Sequence, residues 1–253
     1  MLSFLKQWRD QRIVRRAGYS ESEWQGAFER LPLLDRLSDD EKVQLRRLAT
    51  LFLHHKSLEG ADDLVLTTEL KLVIALQACL PILNLGLDWY AGWVSVVIHR
   101  AGFTPMHSEM DEYGIVHRVR EPLSGESWER GPVVLSADAA LEGGAIDGHN
   151  LVIHEFAHKL DMQNGVANGM PPLHREMSAV QWSEALSAAY ADLRERVEHG
   201  KPTPIDHYGA TAPAEFFAVL SEVFFESPVA IRDAYPAVYR QLALFYRQNP
   251  LDA

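Results

Sequence analysis

The stretch Asn150-Leu-Val-Ile-His154-Glu155-Phe-Ala-His158-Lys-Leu-Asp161 decides how the rest of the chain is read. On a helix, positions i and i+4 stand one above the other, so the imidazoles of His154 and His158 can meet one metal ion. Glu155 follows the first histidine and sits beside that face, within reach of a water at the metal. Leu151, Val152, Ile153, Phe156 and Ala157 make the other sides apolar, as a buried helix requires. Two imidazoles and a carboxylate are costly to bury without compensation, and a divalent cation removes that cost. The competing account, a chance match on a solvated helix, does not explain the apolar flanks.

His154-Glu155-Phe-Ala-His158 has the HExxH pattern, in which two histidines bind zinc and the glutamate serves as general base. A catalytic zinc takes a third protein ligand and leaves its fourth position for water. The pattern that adds Gly and His three and six residues further on fails, because Asp161 and Asn164 stand there. A glutamate from a later helix remains, with Glu176, Glu184, Glu195, Glu198, Glu215, Glu222 and Glu226 as candidates. The first four lie in polar or mixed sequence and read as solvated.

Glu215 opens Pro213-Ala-Glu-Phe-Phe-Ala-Val-Leu-Ser-Glu-Val-Phe-Phe225, a run too apolar to be anything but buried, and is assigned to the zinc. Glu222, two turns later on nearly the same face, is expected behind the ligands, holding a ligand imidazole; a partly exposed helix carboxylate is the alternative. Asp161 falls on the motif face and either accepts a ligand histidine's second ring N–H or closes the helix before Gln163-Asn164-Gly165. Tyr208, in a loop seven residues before Glu215, can donate to a developing oxyanion or simply pack.

Outward from the motif, the last third reads as helices over Ser178–His199, Pro213–Phe225 and Pro236–Asn249. The middle third holds β-branched runs at Trp93–Ile98, Gly114–His117 and Pro132–Ser136, read as strands, with loops at Gly125–Trp128 and Gly143–Gly148. The first third is helical. Ser20…Glu23 and Ser38…Glu41 fit capping boxes, and the second opens a helix expected to turn Val43, Leu45, Leu48, Leu51 and Phe52 inward. Helices, then strands, then helices argue an α+β fold with a small mixed sheet. Residues 1–65 are expected to form a helical region and 66–253 the catalytic region, together one compact unit.

Composition sets the outer bounds. The 253 residues are 47% hydrophobic and 23% charged, enough for a real core and unlike a disordered chain. Lys+Arg 24 against Asp+Glu 35 gives −11, which argues against direct nucleic-acid binding. One cysteine, Cys79, forms no internal disulfide and suits a reducing compartment. Leu72–Leu87 is shorter than a bilayer span and carries Gln77, Pro81 and Asn84, so it reads as a buried helix ending near Pro81. With no secretory signal pattern at the N-terminus, the reading is cytoplasmic.

HEFAHKLDMQNG at His154–Gly165, DHYGATAPAEFFAVLSEVFF at Asp206–Phe225, Pro132–Asp138 and the N-terminal Leu2–Arg16 together resemble the Mlc titration factor A family of bacterial zinc peptidases. That family is similar in its catalytic core to the anthrax lethal factor protease, a gluzincin, which implies a mainly helical zincin-like domain. The resemblance implies His154, His158 and Glu215 as zinc ligands, Glu155 as general base and Tyr208 as transition-state donor. It implies aminopeptidase-like cleavage of peptide substrates and binding of a glucose repressor of the Mlc type. A different class also fits: a non-catalytic protein that titrates a regulator, its zinc site structural or vestigial. An intact Glu155 counts against that class, since a structural site needs no base.

Overall fold

A helix that carries its own titratable motif inside the core needs apolar neighbours on every other side, and the fold is arranged to supply them. The computed structural model describes residues 2–100, 106–110, 116–120, 125–127 and 131–252. The N-terminal third contributes α1 (Leu2–Arg16), α2 (Glu21–Glu29) and α3 (Asp39–His55). Both capping boxes form: Ser20 and Ser38 accept from the amides of Glu23 and Glu41, whose carboxylates reach back to the cap amides. On α3, Leu45, Leu48, Leu51 and Phe52 are buried, whereas Val43 is exposed, contrary to the sequence expectation. Val43 lies two positions before Leu45, about 200° around the helix and so on the opposite face.

α4 (Thr68–Cys79) is the central helix, fully buried from Leu72 to Cys79 and followed at once by Leu80 and Pro81. Being apolar all round, it can pack against α2, α3, the short α5 (Ala137–Glu142) and the motif helix α6 (Leu151–Asp161) together. α7 (Ala179–Glu198), α8 (Pro213–Glu226), α9 (Pro228–Ala234) and α10 (Pro236–Tyr246) complete the chain. The sequence reading omitted α9, which fits between two prolines, and ran the last helix three residues too far. Arg247 stands in the left-handed region at φ 52° and ends α10.

The main sheet has four strands in the order β1 (Ser57–Gly60), β2 (Ser95–His99), β6 (Val133–Ser136), β5 (Gly125–Ser127). β1, β2 and β6 are parallel, and β5 runs antiparallel to β6, with Glu126 opposite Val134. A separate antiparallel pair joins β3 (Met106–Met110) to β4 (Val116–Arg120). The strand read at Gly114–His117 is met by β4 at Val116 and His117; Gly114 and Ile115 lie outside the described residues, as does Trp128. Gly125–Ser127, read as loop, is strand, and β1 was not anticipated. Such short polar segments carry little alternating pattern of their own and are extended by pairing. No described helix is long and apolar enough to cross a membrane.

Phe156, on α6 between the two motif histidines, is fully buried among Phe52, Tyr90 and Trp93, with ring centroids 5.5, 5.2 and 5.7 Å away. This aromatic contact locks the back of α6 against α3 and the Leu87–Tyr90 turn. Phe156→Ala is expected to cost about 3–5 kcal/mol, read as a lower denaturant midpoint with an unchanged slope.

Candidate metal centre

α6 begins at a cap. The Asn150 side-chain oxygen accepts from the Ile153 amide at 2.9 Å, giving the buried helix a defined start. α8 packs along α6 and presents Glu215, Glu222 and Glu226 to it, at i, i+7 and i+11, so that one stripe of a very apolar helix is acidic. That stripe meets the two motif histidines and the start of α6.

His154, His158 and Glu215 are the one cluster of His, Cys, Asp or Glu side chains among the described residues placed to hold a metal ion. His154 Nε2 lies 3.2 Å from His158 Nε2 and 3.0 Å from Glu215 Oε2, which is 3.3 Å from His158 Nε2. Tetrahedral zinc with bonds of about 2.0–2.1 Å separates its ligand atoms by roughly 3.3–3.5 Å, so the triangle has a zinc site's dimensions. Three lone-pair donors converge where one proton cannot serve all of them. A cation fits that arrangement.

Behind the triangle, the ring Nδ1 of His154 meets Glu222 Oε1 at 2.7 Å, while Glu222 Oε2 accepts the Asn150 amide at 2.6 Å. Glu222 is therefore buried and doubly used. Burial alone would drive His154 toward neutrality, but the Glu215 and Glu222 carboxylates at its two nitrogens overcome this and raise its pKa to about 10. Burial pushes Glu215 upward too, yet hydrogen bonding to His154 and His158 holds it well below the usual carboxylate range.

Glu155 is buried, at 3% exposure, on the next position of α6. Tyr208 sits on the turn His207–Ala210, positioned by Asp206, which accepts the Tyr208 amide at 2.8 Å. Its ring centroid is 6.0 Å from that of His154, and the residue is 42% exposed. Asp161 makes no hydrogen bond to the ring of His154 or His158. Its Oδ2 accepts the Asn168 and Gly169 amides, both at 2.7 Å, holding the loop after α6; its Oδ1 and the Nδ1 of His158 are buried without hydrogen-bond partners.

The other glutamates fall away from the triangle. Glu176, Glu184, Glu195 and Glu198 are exposed, and Glu226 binds Gly148 and Asn150. Asn150 escaped the sequence reading as a site residue. Its signal was available: a cap-forming residue four positions before the first histidine. Lys159, between the motif and Asp161, is buried, donates to the Gly131 carbonyl at 3.1 Å and is pulled down to about 8 by burial. The run Pro132–Ser136, read as a strand, forms β6 at Val133–Ser136 and is flanked by β2 and β5, with β5 the outer strand on that side.

This arrangement, an acidic helix stripe against an HExxH helix, is a metallopeptidase-type constellation. Residues 5–247 match the family described as glucose-regulated metallo-peptidase M90, and the chain belongs to that family. It is 40% identical to Mlc titration factor A of Klebsiella pneumoniae over 240 residues, 93% of this chain and 89% of the relative. It is 38% identical to the protein of the same name from Serratia proteamaculans over 91% of this chain and 88% of the relative. For the Yersinia pestis protein of that name the figures are 37%, 91% and 86%.

Proposed function

We propose that the protein is a zinc-dependent peptidase of the gluzincin type, acting in an aminopeptidase-like way on small peptides. The observation that carries this is the His154–His158–Glu215 triangle, with ligand atoms 3.0–3.3 Å apart, beside the buried carboxylate of Glu155. Bound there, zinc would supply Lewis acidity, polarising the scissile carbonyl and easing deprotonation of water. Glu155 takes the proton of the attacking water and returns it to the leaving amine. Tyr208, whose ring stands beside His154, donates its phenol to the developing oxyanion. Glu222 keeps the Nδ1 proton of His154 in place, so that Nε2 faces the ligand position. A three-member ligand set favours an open catalytic site over a closed structural one.

A second reading stands beside this one, and the relatives' name favours it: the protein binds a repressor of the Mlc type. Binding and cleavage are compatible. The test is metal analysis of the purified protein, together with cleavage of aminoacyl chromogenic substrates and longer peptides. About one zinc per chain, and cleavage lost to a chelator and restored by zinc, are expected. Protein without zinc, or cleavage indifferent to the chelator, would refute the peptidase reading and leave repressor binding to be measured separately.

A further inference from the structure

Beyond the ligands, Glu226 remains: a buried carboxylate, 6% exposed, that touches neither motif histidine. Its Oε2 accepts the Gly148 amide at 3.0 Å and its Oε1 accepts the Asn150 side-chain amide at 2.9 Å. Asn150 is fully buried; its amide nitrogen also donates to the Gly143 carbonyl at 2.7 Å, its oxygen caps α6, and its backbone N–H donates to Glu222. Glu222 in turn holds His154. We infer that Glu226 is a positioning residue, fixing Asn150 and Gly148 at the start of α6 and thereby the Glu222 contact that aims His154. The inference rests on the zinc reading of the site.

The surrounding chain is shaped for this contact. Gly148 stands at φ 90°, a backbone conformation that costs glycine nothing and lets its amide meet Glu226. A Cβ on Gly143 would lie 3.0 Å from the Asn150 side-chain nitrogen and 2.4 Å from Gln77 Oε1, so that turn is built for close approach to the cap. Each Glu226 oxygen faces an N–H donor. An ionised carboxylate satisfies both, whereas an amide or a protonated acid sets a donor against a donor. Keeping a charge there is costly: burial raises Glu226 to about 7, with Asp147 and Glu222 pushing the same way. Arg36 lies near enough to feel the Glu226 charge, but its guanidinium donates to the Phe225 carbonyl and lies 5.8 Å from the centre of the Phe225 ring. A buried acid held against that cost, where α8 meets the start of α6 one turn beyond Glu222, is placed to govern registry between the helix with two ligands and the helix with the third.

The experiment compares zinc affinity from pH 6 to 8 for wild type, Glu226→Gln and Asn150→Ser, with thermal midpoints of the zinc-free proteins. Serine still caps the helix but cannot reach Glu226 with an amide, so this variant cuts the same contact from the other end. At pH 8 each variant is expected to bind zinc about 10–100-fold more weakly, as when a partner behind a ligand is lost. The double variant should be no worse than the weaker single one. Wild-type affinity should fall between pH 8 and 6 more steeply than that of Glu226→Gln, which has no proton to take up. A merely structural role predicts something else, a large drop in zinc-free stability. The raised pKa means that the ionised form costs stability as pH climbs through about 7, so zinc-free Glu226→Gln should melt near wild type at pH 8. Wild-type zinc affinity and pH slope in both variants would overturn the inference while leaving the zinc site standing. A wild type that takes up no zinc overturns both.

Discussion

Glu155→Gln is expected to lower peptide cleavage by about 10²–10⁴-fold while zinc content and fold stay as in wild type. Glutamine has the same shape as glutamate, so the 3% exposed position accepts it without a cavity or a clash. What changes is basicity. An amide oxygen does not take up a water proton near neutrality and has none to hand to a leaving amine, so both proton transfers fail together. The loss should appear in kcat far more than in KM, because Glu155 is not among the three side chains placed to hold a metal ion. Steady-state cleavage of an aminoacyl substrate and metal analysis of the same preparation give the two readouts. Full activity in this variant would remove Glu155 from the mechanism. The same preparation also separates the two functional readings: repressor binding unchanged in a protein that no longer cleaves would mean that titration needs no catalysis.

The convergence of His154, His158 and Glu215 was legible in the sequence for reasons that α6 and α8 make concrete. His154 and His158 share a face through helical periodicity alone, and Glu215 stands out as a carboxylate in a run that has to be buried. Glu222 was legible for the same reason, as a second acid on the same face of α8, although only packing decides that it meets the ring of His154 and the Asn150 amide at once. Asp161 had the right spacing, but its hydrogen bonds go to the two amides of the 168–169 backbone and not to a motif imidazole. Side-chain spacing says nothing of where a loop returns. The sheet shows the limit of local pattern most clearly. Val133–Ser136 was recognisable from its β-branched residues, but its place in the sheet depends on β5, whose Gly-Glu-Ser carries no strand signal and is extended only by pairing with β6. The Glu226–Asn150–Gly143 contacts escaped for a related reason. They join residues 76 and 7 positions apart through one amide, and no periodicity encodes them.

Glu215→Gln is expected to reduce zinc affinity by more than the 10–100-fold typical of groups behind the ligands, because it replaces an anionic ligand oxygen with a neutral one. In wild type the Glu215 oxygen lies 3.0 and 3.3 Å from the imidazoles of His154 and His158, and the variant keeps this shape while losing the negative charge that attracts a dication. Zinc bound only by the native state stabilises it by about 2.7 kcal/mol at a hundredfold excess over Kd. The thermal midpoint of Glu215→Gln with zinc present should therefore approach that of chelator-treated wild type. Glu222→Gln is expected to be milder. Its amide oxygen can still accept the Nδ1–H of His154, but the nitrogen then opposes the Asn150 amide, donor against donor, and the ring is held less firmly. Both variants should fold, since α8 is held by a face of buried Phe216, Phe217, Leu220 and Phe224 that neither change touches. Zinc titration of the two variants side by side decides the assignment. If Glu222→Gln abolishes binding and Glu215→Gln preserves it, the ligand lies two helical turns further along α8, and the 2.7 Å contact with His154 is itself the metal edge.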